Sequence, residues 1–132
     1  MFKHAITYVN FNGDEKTEDF YFHLSMPEVT RLQAELGKPL DEYAKEASSN
    51  MKEMIDFLER IVLSSYGRKT SDGNSFHKSK ELRENFEHSQ AYAELFEQLI
   101  TDQEFAKRFS AGIVDNGKAK KNTVAPQVID QQ

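Results

Sequence analysis

Histidine is the residue type in this chain best suited to metal binding or to proton transfer near neutral pH. No two of its histidines have the i, i+4 spacing of a helical metal pair, and the H-E-x-x-H motif is absent. His4 and His23 lie on segments predicted below to pair as antiparallel strands, so these two can meet across a hairpin. The alternatives for this pair are a cross-strand metal site and ordinary surface histidines, and we predict the latter; the other two histidines are His77 and His88.

Acid–base and nucleophilic groups are present without the spacing that such chemistry needs. The acid pairs Glu81/Glu84 and Glu94/Glu97 lie on segments of helical periodicity, on the side predicted to face solvent. No G-x-S-x-G elbow positions a serine nucleophile, and the chain has no cysteine. The glycines are isolated, which excludes a phosphate-cradling loop. We therefore predict no enzyme activity, no metal and no cofactor.

The charge balance is acidic, with 17 basic and 22 acidic residues and a net charge of −5 over 132 residues. This balance argues against nucleic acid as the partner. The short basic cluster Lys78, Lys80 and Arg83 is diluted by glutamates, and we predict that it solubilises the surface. No apolar run approaches the roughly 20 residues of a membrane helix. We expect a soluble protein used in a cytoplasm, with no membrane partner.

The N-terminal segments 3–10 and 17–24 are predicted to form a β-hairpin around an Asn-Gly turn. In the second strand Phe20, Phe22 and Leu24 alternate onto one face. A two-stranded hairpin is only marginally stable in water. This apolar face is therefore expected to pack on the helices, to pair between copies of the chain, or both.

The most regular helical pattern runs from residue 50 to residue 66. We predict that it forms a central core helix, with Gly67 as its left-handed C-terminal cap. The apolar stripe on its inner face is Met51, Met54, Ile55, Leu58, Ile61, Val62 and Tyr66.

Shorter helical segments surround this one, and residues 68–75 are predicted to be a polar loop. The predicted fold is mainly α, with an N-terminal β-hairpin (1–25) followed by a compact bundle of about five to six short helices. Residues 1–114 are predicted to form one domain, and 115–132 a flexible, disordered tail. Helix starts are signalled by capping side chains at Ser25, Ser79, Ser89 and Thr101-Asp102.

The order of these elements resembles the tail assembly chaperones of long-tailed phages that infect Gram-positive bacteria. The resemblance covers about residues 3 to 114 and rests on general spacing, with no catalytic signature. It is carried by Ile6-Thr7-Tyr8, Asn12-Gly13, Thr17 to Phe22, Tyr66-Gly67, Ser71-Asp72-Gly73, Ala91-Tyr92, Leu95-Phe96 and Gly112-Ile113.

The resemblance implies binding to the tape measure protein, which is kept soluble while subunits of the major tail (tube) protein polymerise around it. Members of this family are often also made in a longer form by a programmed ribosomal frameshift. Lys120-Lys121-Asn122 would fit an A-rich slippery run in the gene. The implied location is the host cytoplasm during virion assembly, with absence from the mature virion.

A chaperone for an apolar helical polypeptide needs exposed apolar helix faces and rings, together with an acidic exterior for solubility. We predict that four rings on the C-terminal helices form a groove, and that two rings of the hairpin pack internally or pair between copies. Burial in the core is the alternative for each ring. The predicted binding residues are Tyr92, Phe96, Phe105 and Phe109 in the groove, and Phe20 and Phe22 in the hairpin.

Two other functions stay open on the sequence. A small acidic phage protein can also be an adaptor or inhibitor that binds a host protein, and a gene directly upstream of a very long tape measure gene would favour the chaperone instead. An enzyme with an unusual site would require a buried, clustered set of carboxylates or histidines.

Overall fold

The structure is a computed structural model that describes residues 1–114. The predicted tail 115–132, with its Lys120-Lys121-Asn122 run, lies outside the described residues. Within these described residues, an N-terminal hairpin and six helices, with 57% of the residues in helix, confirm the predicted fold class. The assignment of 1–114 to one domain stays a prediction. The elements are β1 (Phe2–Val9), β2 (Glu15–Phe22), α1 (Met26–Leu36), α2 (Leu40–Ala47), α3 (Met51–Ser65), β3 (Tyr66–Lys69), β4 (Phe76–His77), α4 (Lys80–Glu87), α5 (Gln90–Thr101) and α6 (Gln103–Ile113).

The N-terminal hairpin forms where alternation and the Asn-Gly turn predicted it. Strands β1 and β2 pair antiparallel in one unbroken register, from Phe2 opposite Phe22 to Val9 opposite Glu15. Gly13 in the turn has φ of 86°, a value that favours glycine. The hairpin turn therefore sets the register for the whole pair.

The predicted polar loop 68–75 begins too early, because Arg68 and Lys69 belong to a short strand, β3, and the loop that follows leads to a second short strand, β4. Strand β3 pairs with the end of β2, and β4 pairs with β3, which gives a four-stranded sheet in the order β1-β2-β3-β4. Arg68 lies opposite His77 and Lys69 lies opposite Phe76. Strands of four and two residues with mostly polar side chains carry no apolar alternation, so no signal of period two marks them.

Gly67 is not the helix cap that was predicted. Helix α3 is followed by Tyr66 in an extended conformation, with φ of −70° and ψ of 140°, and Gly67 continues the strand. A β-carbon on Gly67 would lie 2.6 Å from the carbonyl oxygen of His77 and 2.6 Å from the ring of Phe76. Glycine is required here by close strand packing, and no left-handed backbone is involved.

Helix α3 is only half a core helix, which corrects its predicted central role. Its C-terminal half buries Ile61, Val62 and Ser65. Its N-terminal half lies near the surface, where Met51 is 70% exposed. Packing there is mainly against the neighbouring helix α2, whose Tyr43 ring lies 5.3 Å from the ring of Phe57.

The centre of the core is the inner face of the hairpin. Phe22 is completely buried, and its ring centroid lies 5.8 Å from Phe86 on α4 and 5.2 Å from Phe109 on α6. Leu24 is 2% exposed, and Phe20 is half-buried with its ring 5.4 Å from Phe86. The Phe20, Phe22 and Leu24 face thus packs on the helices of its own chain, which is one of the alternatives predicted for it.

Lys78 forms hydrogen bonds that connect three elements at one end of the sheet. The prediction that Lys78 solubilises the surface did not include this role. Its Nζ atom donates to the carbonyl oxygens of His23 at 2.7 Å and Ser64 at 2.8 Å, and to Glu28 Oε2 at 2.8 Å. The Glu28 side chain also completes a capping box with Ser25, the predicted cap of α1, by accepting from the amide of Ser25. One cation therefore joins the starts of α1 and α4 to the end of α3.

The ionisation of Glu28 should make the stability of this junction depend on pH. Burial raises the pKa of the Glu28 carboxyl, but hydrogen bonds from Lys78 and from the Ser25 amide outweigh burial and bring the pKa below its ordinary value of 4.5. Because the folded pKa is the lower one, the carboxylate stabilises the fold above about pH 4.5, and this contribution is lost as the pH falls through the folded pKa.

We predict that Glu28→Gln reduces the dependence of the free energy of unfolding on pH between pH 6 and pH 3. Since Glu28 is partly exposed, the difference from the unmodified chain should be at most about 1 kcal/mol. Urea unfolding at a series of pH values measures it. Glu81→Gln is the control, because Glu81 also lies in the first turn of a helix but is exposed. Equal pH dependence in the unmodified chain and Glu28→Gln would contradict the assignment.

Candidate protein-binding site

The four rings predicted to line one groove lie in two different environments. Phe105 and Phe109 on α6 are 0% and 1% exposed, and both pack edge-on against the ring of Phe2 at 6.0 Å and 5.3 Å. Tyr92 and Phe96 on α5 are only half-buried. A groove lined by all four residues is therefore not present, because α6 turns its stripe toward the hairpin.

Gly112 makes this inward packing of α6 possible. A β-carbon at this position would lie 2.6 Å from the Phe2 ring. The absence of a side chain lets the last turn of α6 approach β1, which closes the core over Phe109. Phe105, Phe109 and Ile113, at i, i+4 spacing, thus form a stripe in the core. Burial in the core was the alternative given for the two rings.

Helix α5 has two apolar faces. The inner face buries Ala91, Leu95 and Leu99. The outer face carries what we call the α5 strip, which consists of Tyr92, Phe96 and Ile100 at intervals of four residues. The strip lines an open groove of about 400 Å³, together with Glu59, Ala93, Glu97 and Thr101.

The rings of the α5 strip are held in place and yet reachable. The Tyr92 and Phe96 centroids lie 5.9 Å apart, and Tyr92 packs edge-on against Phe86 at 5.5 Å. Ile100 is 38% exposed. Apolar side chains on two adjacent faces of one helix form a wider stripe than the single face that a surface helix needs for its own packing. That excess width was the sequence signal for Ile100, which the predicted binding set omitted.

Carboxylates lie around the α5 strip and affect the Tyr92 hydroxyl, which is the one polar group on the side chains of the strip. The Tyr92 hydroxyl is buried and has no hydrogen-bond partner among the described residues. Burial, followed by repulsion from Glu59 and Glu87, raises the pKa of Tyr92 to about 12. The groove therefore combines an apolar floor with an acidic margin, an arrangement suited to protein contact.

The candidate catalytic and metal-binding groups do not come together in residues 1–114. His4 Nε2 lies 3.1 Å from Gln98 Oε1, whereas the His23 ring lies against Phe76 on the other side of the sheet, so the pair predicted as able to meet is separated. The described part of the chain contains no group of three or more His, Cys, Asp or Glu side chains able to hold a metal ion.

None of the helices within residues 1–114 combines the length and the apolar character needed to cross a membrane.

We predict that Tyr92→Phe leaves the free energy of unfolding unchanged or raises it by up to about 1 kcal/mol, because it removes a buried hydroxyl that has no partner. Chemical denaturation measures this value. Tyr8→Phe is the matched control, since the Tyr8 hydroxyl donates to Glu18 at 2.7 Å and its loss should cost about 0.5 kcal/mol. A loss above about 1 kcal/mol in Tyr92→Phe would show that its hydroxyl is bonded.

Comparison with known proteins identifies the family. No curated protein and no solved structure shows significant similarity to the chain. A family model described as phage tail assembly chaperone matches residues 1–128, which is nearly the whole length. The chain therefore belongs to the phage tail assembly chaperone family.

Proposed function

We propose that this chain binds the tape measure protein through the α5 strip and keeps it soluble while tail-tube subunits assemble around it. Membership of the family supports a role in tail assembly. The observation that carries the proposal is the partly exposed row of half-buried Tyr92 and Phe96 and exposed Ile100, which the chain's own core covers only in part.

The shape of the strip suits a helical partner. Residues at i, i+4 and i+8 span about 12 Å at 1.5 Å per residue, which is roughly two helical turns. A partner helix that lays its apolar face in a groove makes contacts at the same i, i+3, i+4 spacing. Each copy of the chain would cover about two turns, so a long tape measure protein would need many copies.

The acidic margin suits the same role. Glu59 and Glu97 flank the apolar floor, and both are exposed. Charged groups at the rim of an interface contribute more to selectivity and to the rate of association than to affinity. They would favour apolar helical segments flanked by basic residues, and would keep the complex soluble through its net negative charge.

The remaining steps of the proposal come from the family resemblance. The chain works without chemistry of its own, in the host cytoplasm during virion assembly, and is absent from the mature virion. The phage is a long-tailed one with a Gram-positive host. A longer form, made by frameshifting near Lys120-Lys121-Asn122, recruits the major tail protein. A gene without a slippery heptamer and without an overlapping downstream frame would remove this last step.

We predict that Phe96→Ala and Ile100→Lys each reduce the soluble fraction of the tape measure protein when the two proteins are co-expressed. An aromatic residue at the centre of an interface commonly contributes more than 1 kcal/mol, so binding should weaken about tenfold. Pull-down of the soluble fraction measures the remaining complex.

The matched control is Phe11→Ala, because Phe11 is 78% exposed in the hairpin turn. Ile100→Lys tests the strip with little loss of packing, and thermal unfolding checks that both strip variants are folded. Phe105→Ala is unsuitable, since that ring is completely buried. Full tape measure solubility with folded Phe96→Ala and Ile100→Lys would contradict the proposal.

A further inference from the structure

Strand β1 is the edge of the sheet, and its outer side has no strand partner among the described residues. The sheet order begins at β1, which pairs only with β2. Strand β1 is eight residues long, which exceeds the usual strand of five or six. An unpaired edge of this length offers a row of backbone donors and acceptors to another chain.

The hydrogen-bond register shows which backbone groups face outward. The amide of Asn10 donates to the carbonyl oxygen of Asp14 at 2.9 Å, so even-numbered residues of β1 bond to β2. The amide of His23 donates to the carbonyl oxygen of Ser65 at 2.7 Å, which places the backbone groups of odd-numbered β2 residues toward β3. The even-numbered residues of β2 therefore face β1, which agrees with this register. The residues of β1 whose amides and carbonyls point to the free edge are Lys3, Ala5, Thr7 and Val9.

This edge lacks most of the devices by which proteins prevent strand addition. The register from Phe2 to Val9 is unbroken, so β1 has no bulge, and the strand contains no proline. Lys3 is its one charged side chain, and that side chain lies 3.7 Å from Asp19 of the neighbouring strand. Natural edge strands are usually short, bulged, charged or covered.

Helix α5 forms a wall beside the free edge. A groove of about 400 Å³ runs between residues 4–7 of β1 and the side of α5 that bears Glu94, Glu97, Gln98 and Thr101. Both glutamates are exposed, and none of the residues that line the groove is Lys or Arg. A strand added here would therefore place alternate side chains against an acidic surface.

A second copy of this chain does not fit that surface. Antiparallel pairing of β1 with its counterpart would put both α5 helices on the same face of the joined sheet, beside the seam. Glu94 and Glu97 would then approach the same residues of the other copy, which is unfavourable. The charge instead fits a different polypeptide, one that carries Lys or Arg at every second position.

We infer that the outer edge of β1 binds an extended segment of another protein by strand addition, with basic side chains of that segment facing Glu94 and Glu97 of α5. Backbone hydrogen bonds to Ala5 and Thr7 supply affinity, and the acidic wall supplies selectivity. This site lies on the side of α5 that bears Glu94 and Gln98, with Glu97 and Thr101 at the boundary between the two grooves, and it does not rest on the proposed function.

The test uses the full chain, labelled with ¹⁵N, and a capped eight-residue peptide of alternating Thr and Lys. At saturation we expect amide hydrogen exchange at Lys3, Ala5, Thr7 and Val9 to slow about tenfold or more, because these amides become bonded. The even-numbered amides of β1 should not change. A Thr/Glu peptide should bind at least about tenfold more weakly.

Methylation of alternate peptide amides separates backbone pairing from simple charge attraction. One methylated set should abolish binding and the other should preserve it, because only one set faces β1. Glu94→Lys should weaken binding about threefold or more, and Glu81→Lys, a control on α4, should not. Phe96→Ala should leave peptide binding intact, which distinguishes this site from the α5 strip.

Three results would overturn the inference. The first is equal binding of the Thr/Lys and Thr/Glu peptides, and the second is indifference to which amides are methylated. The third is a dimer in sedimentation whose odd-numbered β1 amides are protected without peptide, since a second copy would then occupy the edge.

Discussion

The fold depends on the burial of Phe22 between the hairpin and the C-terminal helices. Its fully buried ring meets Phe86 of α4 and Phe109 of α6, so one side chain of β2 is in contact with two helices. Large aromatic rings contribute most of the area that such a core removes from water. Because this core takes the inner faces of α4, α5 and α6, the rings of these three helices that remain accessible to a partner are those on the outer face of α5.

The same packing explains which features of the structure could not be predicted from the sequence. Alternation and an Asn-Gly turn predict the hairpin well, and capping side chains predict the helix starts, because both signals are local. The stripes of α5 and α6 look alike in sequence, and only the tertiary packing places Phe109 inside and Phe96 at the surface. The prediction that Gly67 caps a helix was wrong for a related reason. In sequence, a glycine needed for close contact with another strand cannot be told from one needed for a helix cap.

Helix α5 connects the two surfaces that we propose for partners. Glu97 and Thr101 line both the groove of the α5 strip and the groove beside β1. The first groove has an apolar floor suited to a helix, and the second presents backbone groups suited to an extended chain. One short helix therefore separates two kinds of recognition, and its exposed Glu97 lines both grooves.

The central claim is that the α5 strip covers the tape measure protein. Photo-crosslinking tests it most directly, with p-benzoylphenylalanine placed at position 96 in one protein and at position 11 in another, each co-expressed with the tape measure protein. Our account predicts a crosslink to the tape measure protein from position 96 and none from position 11. A crosslink from position 11 alone, or equal crosslinks from both positions, would contradict it.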